Sequence, residues 1–377
     1  MIKLTWPRLA AWRIRRHHLH RRAPAGSMLP VASRLCGLHA QVMSSAELTL
    51  WARVEGLKPG AVHRALWQDR ALVKTWAARG TLHLIPATDF PVWRAALSTS
   101  RRYRTPAFWR RCYGITLDEL DRLTQAIGVA LDGQVMTREE LAEEVGRLTG
   151  SAAFRTGLAQ GGWGTILKPA AFAGHLCFAP SQGQRVRFTR PDSWVRAHSQ
   201  PLDPKAATAE LTRRFLGAYG PATYEDLRRW WGGGSMVAAK QWIASLGEEV
   251  TQVNLDGAPA WMLTADIRKL RDLVPAKSVS LLPAFDQYVI GASRHAEHLL
   301  PGISRSRIYR PQGWVSAVLL VNGMMQGTWR HETKGSTVEV VIEPFVKTPP
   351  WVRRAAAHEA ERLASFLDCT LNLTWQT

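Results

Sequence analysis

Met136-Thr137-Arg138-Glu139-Glu140-Leu141-Ala142-Glu143-Glu144-Val145-Gly146 and Ala222-Thr223-Tyr224-Glu225-Asp226-Leu227-Arg228-Arg229-Trp230-Trp231-Gly232 carry one pattern twice. Each has a Thr at a helix start, an acid three residues on, a Leu, and a Gly about one helix later. Each follows an amphipathic segment, Leu117–Leu131 and Ala206–Tyr219. Each precedes a further helical stretch and two short β-like runs, Leu176–Phe178 with Arg185–Thr189 and Val250–Leu255 with Ala260–Leu263. Helices closed by a small hairpin are the layout of a winged helix. The N-terminal region repeats it more loosely. Helical patterns at Met28–Leu38, Ala46–Val54 and Gly60–Gln68 lead to Val73–Ala77, Arg79-Gly80 and Thr81–Leu84.

From Ser278 the texture turns to short β-rich segments. Leu281-Leu282-Pro283, Tyr288-Val289-Ile290, Ser316–Val321, Gly327–Arg330 and Thr337–Ile342 alternate with turn residues, and Asn322-Gly323 is a strong hairpin signal. A helix at Trp351–Leu367 and a last strand at Thr370–Trp375 close the chain. The expected class is α+β: three tandem winged-helix (helix-turn-helix) units and a C-terminal β-barrel, forming a C-shaped clamp. The expected boundaries are 1–110 for the first unit with its basic arm, 111–200 and 201–275 for the next two, and 276–377 for the barrel.

A chain of 377 residues with 46% hydrophobic and 21% charged residues has enough apolar material for several cores. Its formal net charge of +19 points first to nucleic acid, through phosphate contacts and counterion release, with an anionic membrane surface as the alternative. No apolar run has the length of a spanning helix, and the basic arm lacks the apolar segment of a signal peptide. A cytoplasmic protein that does not engage membrane is expected. Cys36, Cys112, Cys177 and Cys369 are scattered, without ligand spacing, and read as buried free thiols. His17, His18 and His20 sit among arginines, which disfavours a metal there, so neither metal nor cofactor is expected.

The positive charge is uneven. Residues 118–144 hold eight acids against two arginines, a solvated negative face. The arm at 1–46, the hairpin around Arg185, Arg187 and Arg190, and the acid-free window 298–331 are positive. Arg13, Arg15, Arg16, Ser44, Arg185, Arg187, Arg305, Arg307, Arg310 and Arg330 are the candidate DNA contacts. The segment His298–Gly313 reads as a projecting basic loop or hairpin that probes a groove.

Within the arm, Gly37-Leu38-His39-Ala40-Gln41-Val42-Met43-Ser44-Ser45-Ala46-Glu47 places two polar side chains in an apolar run. In an extended stretch, His39 and Gln41 point the same way. Ser44-x-x-Glu47 has the form of a capping box, which would set the pair beside a helix N-terminus. Polar groups that merely cap helix ends and satisfy buried backbone are the alternative for both residues.

These residues carry a resemblance. Leu38-His39-Ala40-Gln41-Val42, Arg79-Gly80-Thr81-Leu82-His83-Leu84, Leu281-Leu282-Pro283-Ala284-Phe285-Asp286-Gln287-Tyr288, and Asn322-Gly323 leading to Gly327-Thr328-Trp329-Arg330 occur in this order. Together they resemble the AlkZ/YcaQ family of winged-helix DNA glycosylases, the AlkZ-like branch most closely. The resemblance implies three winged-helix units with a β-barrel and hydrolysis of the N-glycosidic bond of N7-alkylated guanine, from bulky adducts to interstrand crosslinks. The role would be base excision repair or antibiotic self-resistance. It further implies a monofunctional enzyme, a hydrolase of N-glycosyl bonds, acting as a monomer on double-stranded DNA. The family motif is Gln-apolar-Gln, or Gln-apolar-Asp in the YcaQ-like branch. Gln41 matches the second position and His39 replaces the first, which makes both the candidate catalytic residues. Gln41 would position water, and His39 could accept its proton. The rival from another class is a non-catalytic winged-helix transcriptional regulator.

Overall fold

The computed structural model describes residues 2–160, 164–195, 202–300 and 302–376. The expected boundary at 200/201 lies outside them. The chain forms two compact units interleaved in sequence: Met1–Val62, Thr212–Leu227 and Lys240–Thr377 in one, His63–Leu211 and Arg228–Ala239 in the other.

The second unit contains the middle repeat. Its helices are Leu117–Ala130, Arg138–Thr149 and Ala152–Ala159, followed by the hairpin Cys177–Gln182 and Arg185–Thr189. A strand that the sequence pattern did not reveal, Val135–Thr137, pairs antiparallel with Arg185–Thr189, giving a three-stranded sheet. It is short and carries no alternation of its own, so only its partner defines it. Thr137 builds the expected capping box: its hydroxyl accepts from Glu140 N at 3.3 Å, and Glu140 accepts from Thr137 N at 2.7 Å. The counterpart is equally real. Thr223 accepts from Asp226 N at 3.1 Å, and Asp226 accepts from Thr223 N at 2.8 Å. Two caps at equivalent places begin the helices Arg138–Thr149 and Tyr224–Trp231.

The first unit is held by one large core that joins both ends of the chain. Leu9, Trp12 and Ile14 share it with Val253, Leu281, Val289, Leu319, Val340 and Leu363. The N-terminal segment is therefore structural rather than a free arm. Lys3–Leu4 pairs in parallel with Asn254 and Leu255, and Trp6 N donates to Asp256 Oδ2 at 3.2 Å. The following helix, Trp6–Arg16, buries seven of its residues.

The C-terminal region is an open sheet and not a closed barrel. Its five strands run Val279–Leu282, Val318–Val321, Met324–Lys334, Thr337–Pro344 and Thr370–Trp375, each bonded to the next. The helix Pro350–Phe366 packs against both the first and the last strand, burying Val352, Ala356, Ala360 and Leu363. That helix covers edges which closure would have to bring together. Tyr288-Val289-Ile290, expected as a strand, lies in the helix Gln287–Ala292, because Asp286 Oδ1 caps it through Tyr288 N at 2.8 Å. The free thiols also divide: Cys36 and Cys177 are buried, Cys369 is half-buried and Cys112 is exposed.

Candidate active site

The polar pair sits where two helices are separated by a short extended stretch. The helix Met28–Arg34 ends before Cys36 and Gly37, whose φ angles of 59° and 82° turn the chain away from helix. Leu38–His39 is then a strand, and the next helix is Met43–Trp51. Its cap is Val42, which offers no side-chain bond. The Ser44–Glu47 capping box does not form: Ser44 is inside the first turn, and Glu47 Oε1 accepts from Gly60 N at 3.0 Å. Val42 is already extended, so the helix starts two residues earlier than a Ser cap would set it.

His39 is 7% exposed and lies flat on Phe285, with ring centroids 5.0 Å apart and planes 12° apart. Gln41 and Ser44 are exposed. The two polar groups thus have different surroundings, one packed on an aromatic ring and the other facing solvent. The segment Leu281–Tyr288 anchors this geometry from the other side. Gln287 Nε2 donates to Gly37 O at 2.6 Å, which fixes the turn into the His39 strand. Asp286 receives both terminal nitrogens of Arg53, at 2.7 and 2.8 Å, and Arg53 also donates to Thr49 O. Arg53 and Asp286 are fully buried, so this bidentate pair ties the end of the Met43–Trp51 helix to the turn carrying Phe285, between the strand Val279–Leu282 and the helix Gln287–Ala292.

A cleft of about 350 Å³ opens beside the same helix. Its lining includes Ser44 and Ser45, together with Arg310, Trp314, Arg330 and His331. The last four come from the window 298–331. Tyr309 and Val315 bridge there as an antiparallel pair, and Arg310 N donates to Trp314 O, so the tip is a tight turn. Ile308, fully buried, and Tyr309, whose hydroxyl donates to Val289 O at 2.7 Å, root it. Of the expected loop His298–Gly313, only the end from Tyr309 forms such a turn, while Ala296–Leu299 is helical and Arg305–Arg307 a single 3-10 turn. Pro301 lies outside the described residues. His331 stacks on Trp329 at 5.3 Å, and partial desolvation pushes its pKa below the ordinary histidine value.

The candidate DNA contacts separate. Ser44, Arg310 and Arg330 share the cleft, and the latter two are exposed. Arg305 is exposed over the Tyr309 ring, whereas Arg307 is bound to Glu343 at 2.5 Å. Arg185 is exposed on the hairpin of the second unit, where Arg187 donates to Pro180 O at 2.7 Å. Arg13 is removed from the set. It is buried and donates to Tyr219 O and Pro221 O at 3.0 and 3.1 Å, leaving no surface for a phosphate. Arg16 is also turned inward, to Gly217 O and Asp266, while Arg15 remains exposed. Arg13 lies on the buried face of its helix and Arg15 on the exposed one, so arginines close in sequence have different partners.

Phe285, Trp314 and His331 were not picked out by sequence. Phe285 stood in a quoted motif, but nothing in its residue type announced a ring stacked on His39. Trp314 is one of seventeen tryptophans, and nothing in the sequence separates the few that stay exposed from the many that form core.

The family model for "DNA glycosylase AlkZ-like" matches residues 32–366, which include the His39–Gln41 stretch, the Phe285–Gln287 anchor and the cleft. The chain belongs to the AlkZ-like DNA glycosylase family. A relative from Streptomyces sahachiroi, the interstrand DNA cross-link repair glycosylase, is 35% identical over 369 residues, 96% of each chain. The solved structure of Streptomyces sahachiroi DNA glycosylase AlkZ superposes with a TM-score of 0.87 at 33% identity, covering 99% of this chain and all of that one. Membership makes the chain an enzyme, a DNA glycosylase that cuts base from sugar by hydrolysis, and places it in DNA repair. The regulator alternative falls with that assignment. Among the described residues no helix is long and apolar enough to cross a membrane.

Proposed function

We propose that this AlkZ-like glycosylase removes N7-alkylated guanine from duplex DNA, including guanines joined in interstrand crosslinks, as a monomeric, monofunctional enzyme. In an antibiotic producer that activity confers self-resistance. The reading rests on one observation: exposed Gln41 lies just ahead of a helix whose first turn lines an arginine-rimmed cleft, while its partner His39 is packed on Phe285.

An N7-alkylguanine is already cationic and departs as a neutral base, so the site needs little acid assistance. What the enzyme must supply is an attacking water held at C1′ and tolerance of positive charge on the sugar. Gln41 can hold water by accepting from it and donating to it, and such positioning is a recognised source of rate. His39, seated by Phe285, supplies a second polar group from a fixed direction and can accept the proton that the water loses. Ser44 and the uncapped N-terminus of the Met43–Trp51 helix suit a phosphate flanking the lesion, as do Arg310 and Arg330. No lysine is needed as a covalent nucleophile, and the product is an abasic strand that remains intact.

The helix, strand, two helices and hairpin of residues 117–189 support reading the repeats as winged helices. The test is incubation with a duplex crosslinked through guanine N7, followed by denaturing electrophoresis. Separated strands bearing abasic sites are expected. Strands that remain joined, with no base released from any N7-alkylguanine duplex, would refute the proposal.

A further inference from the structure

Trp314 has an environment that packing does not explain. It is 48% exposed, and among the described residues it is the one aromatic side chain in the set of exposed large hydrophobics. A bulky apolar ring left in water at the mouth of a cleft is a candidate contact surface. The local backbone holds it there. The turn from Arg310 to Trp314 passes through Gln312 at φ 59° and Gly313 at φ 78°. Left-handed backbone at a non-glycine residue costs energy, about 1–2 kcal/mol, and concentrates at functional places.

The ring beneath it is held in the same way. Phe285 also has a positive φ, 58°, and Trp314 meets it edge-on, with centroids 4.9 Å apart and planes 73° apart. Phe285 in turn lies on His39 at 5.0 Å. A row of three rings therefore runs from the cleft to the catalytic motif, and its outermost member, about half exposed, lines the cleft together with Arg310 and Arg330.

We propose that Trp314 is a specificity-determining residue that reads the positive charge of the lesion. Its indole face contacts the N7-alkylated purine, an electron-poor cationic ring, while the two arginines hold neighbouring phosphates. Indole presents the most favourable aromatic face to a cation, and such contacts strengthen as water is excluded. An unmodified guanine is neutral and gains only ordinary stacking, so the same surface distinguishes damaged from undamaged base before any bond is cut. Because the indole also packs against Phe285, a lesion seated on Trp314 lies next to the ring that seats His39.

This inference rests on the N7-alkylguanine reading, and the experiment separates the two. Duplexes carrying 7-methylguanine on a 2′-fluoro sugar, which slows hydrolysis, are compared with duplexes carrying plain guanine for binding to wild type, Trp314→Phe and Trp314→Leu. Wild type should prefer the cationic base by roughly 2- to 30-fold. Trp314→Leu should lose that preference, its affinity for the cationic duplex falling further than its affinity for plain duplex, and Trp314→Phe should keep part of it. A preference unchanged in Trp314→Leu, or none in wild type, overturns the assignment. Release of 7-methylguanine from an ordinary deoxyribose duplex by wild type is measured in parallel. Its absence would instead count against the activity itself.

Discussion

Replacing Asp286 by Ala should cost the protein about 4–6 kcal/mol. Asp286 and Arg53 are both fully buried and joined by two hydrogen bonds of 2.7 and 2.8 Å. Removing the carboxylate leaves a guanidinium charge in the core, typically about 3–5 kcal/mol. The same carboxylate caps the helix Gln287–Ala292 through Tyr288 N, worth about 1 kcal/mol more. That sum is a large part of the roughly 5–15 kcal/mol that keeps an ordinary domain folded. Urea unfolding of wild type, Asp286→Ala, Arg53→Met and the double variant Arg53→Met/Asp286→Leu measures it. The double variant should lose less than the sum of its parts, since neither charge is left alone. A cost below about 1 kcal/mol for Asp286→Ala, or full additivity in the double variant, would refute the pair as the tie between the helix and the Phe285 turn.

Gln287→Leu leaves Gly37 O without the donor it has now, and should lower stability by about 1–3 kcal/mol in the same unfolding assay while slowing base release. Arg310→Ala and Arg330→Ala should each reduce the salt dependence of duplex affinity by about one counterion, whereas Arg13→Met should lower the melting temperature and leave that slope unchanged. His17 is buried between Tyr219 and Tyr288, and desolvation, with Arg53 and Arg13, holds its pKa well below the ordinary 6.5. The unfolded chain therefore binds the proton more readily, so His17 contributes stability above pH 6.5 that is lost as pH falls below it. His17→Phe should flatten the urea stability profile on that acid side.

Local chemistry was the legible part of this sequence. Thr137 with Glu140 and Thr223 with Asp226 signalled helix starts that depend on neighbours three residues apart, and both caps form. The strand Thr370–Trp375 alternates cleanly and was found at its expected limits. Features decided by distant partners were not legible. Lys3–Leu4 is a strand only because Asn254 and Leu255 are beside it. The open sheet depends on where the Pro350–Phe366 helix packs, which no spacing encodes.

The site divides along the same line. His39 and Gln41 were marked by being polar in an apolar run, and Ser44, Arg310 and Arg330 by charge and position. The cleft that Ser44, Arg310 and Arg330 share, and the stacking of His39 on a ring about two hundred and fifty residues further on, are products of tertiary packing. Arg13 shows the converse error, a cation that looked available and is used internally on two carbonyl groups.

Single-turnover release of 7-methylguanine from duplex DNA by wild type and Gln41→Ala tests the proposed site most directly. Wild type should release the base and leave an intact abasic strand. Gln41→Ala should bind the duplex equally well and react about 100-fold more slowly, the loss expected for a misplaced water. A Gln41→Ala enzyme that releases the base at the wild-type rate would contradict the assignment.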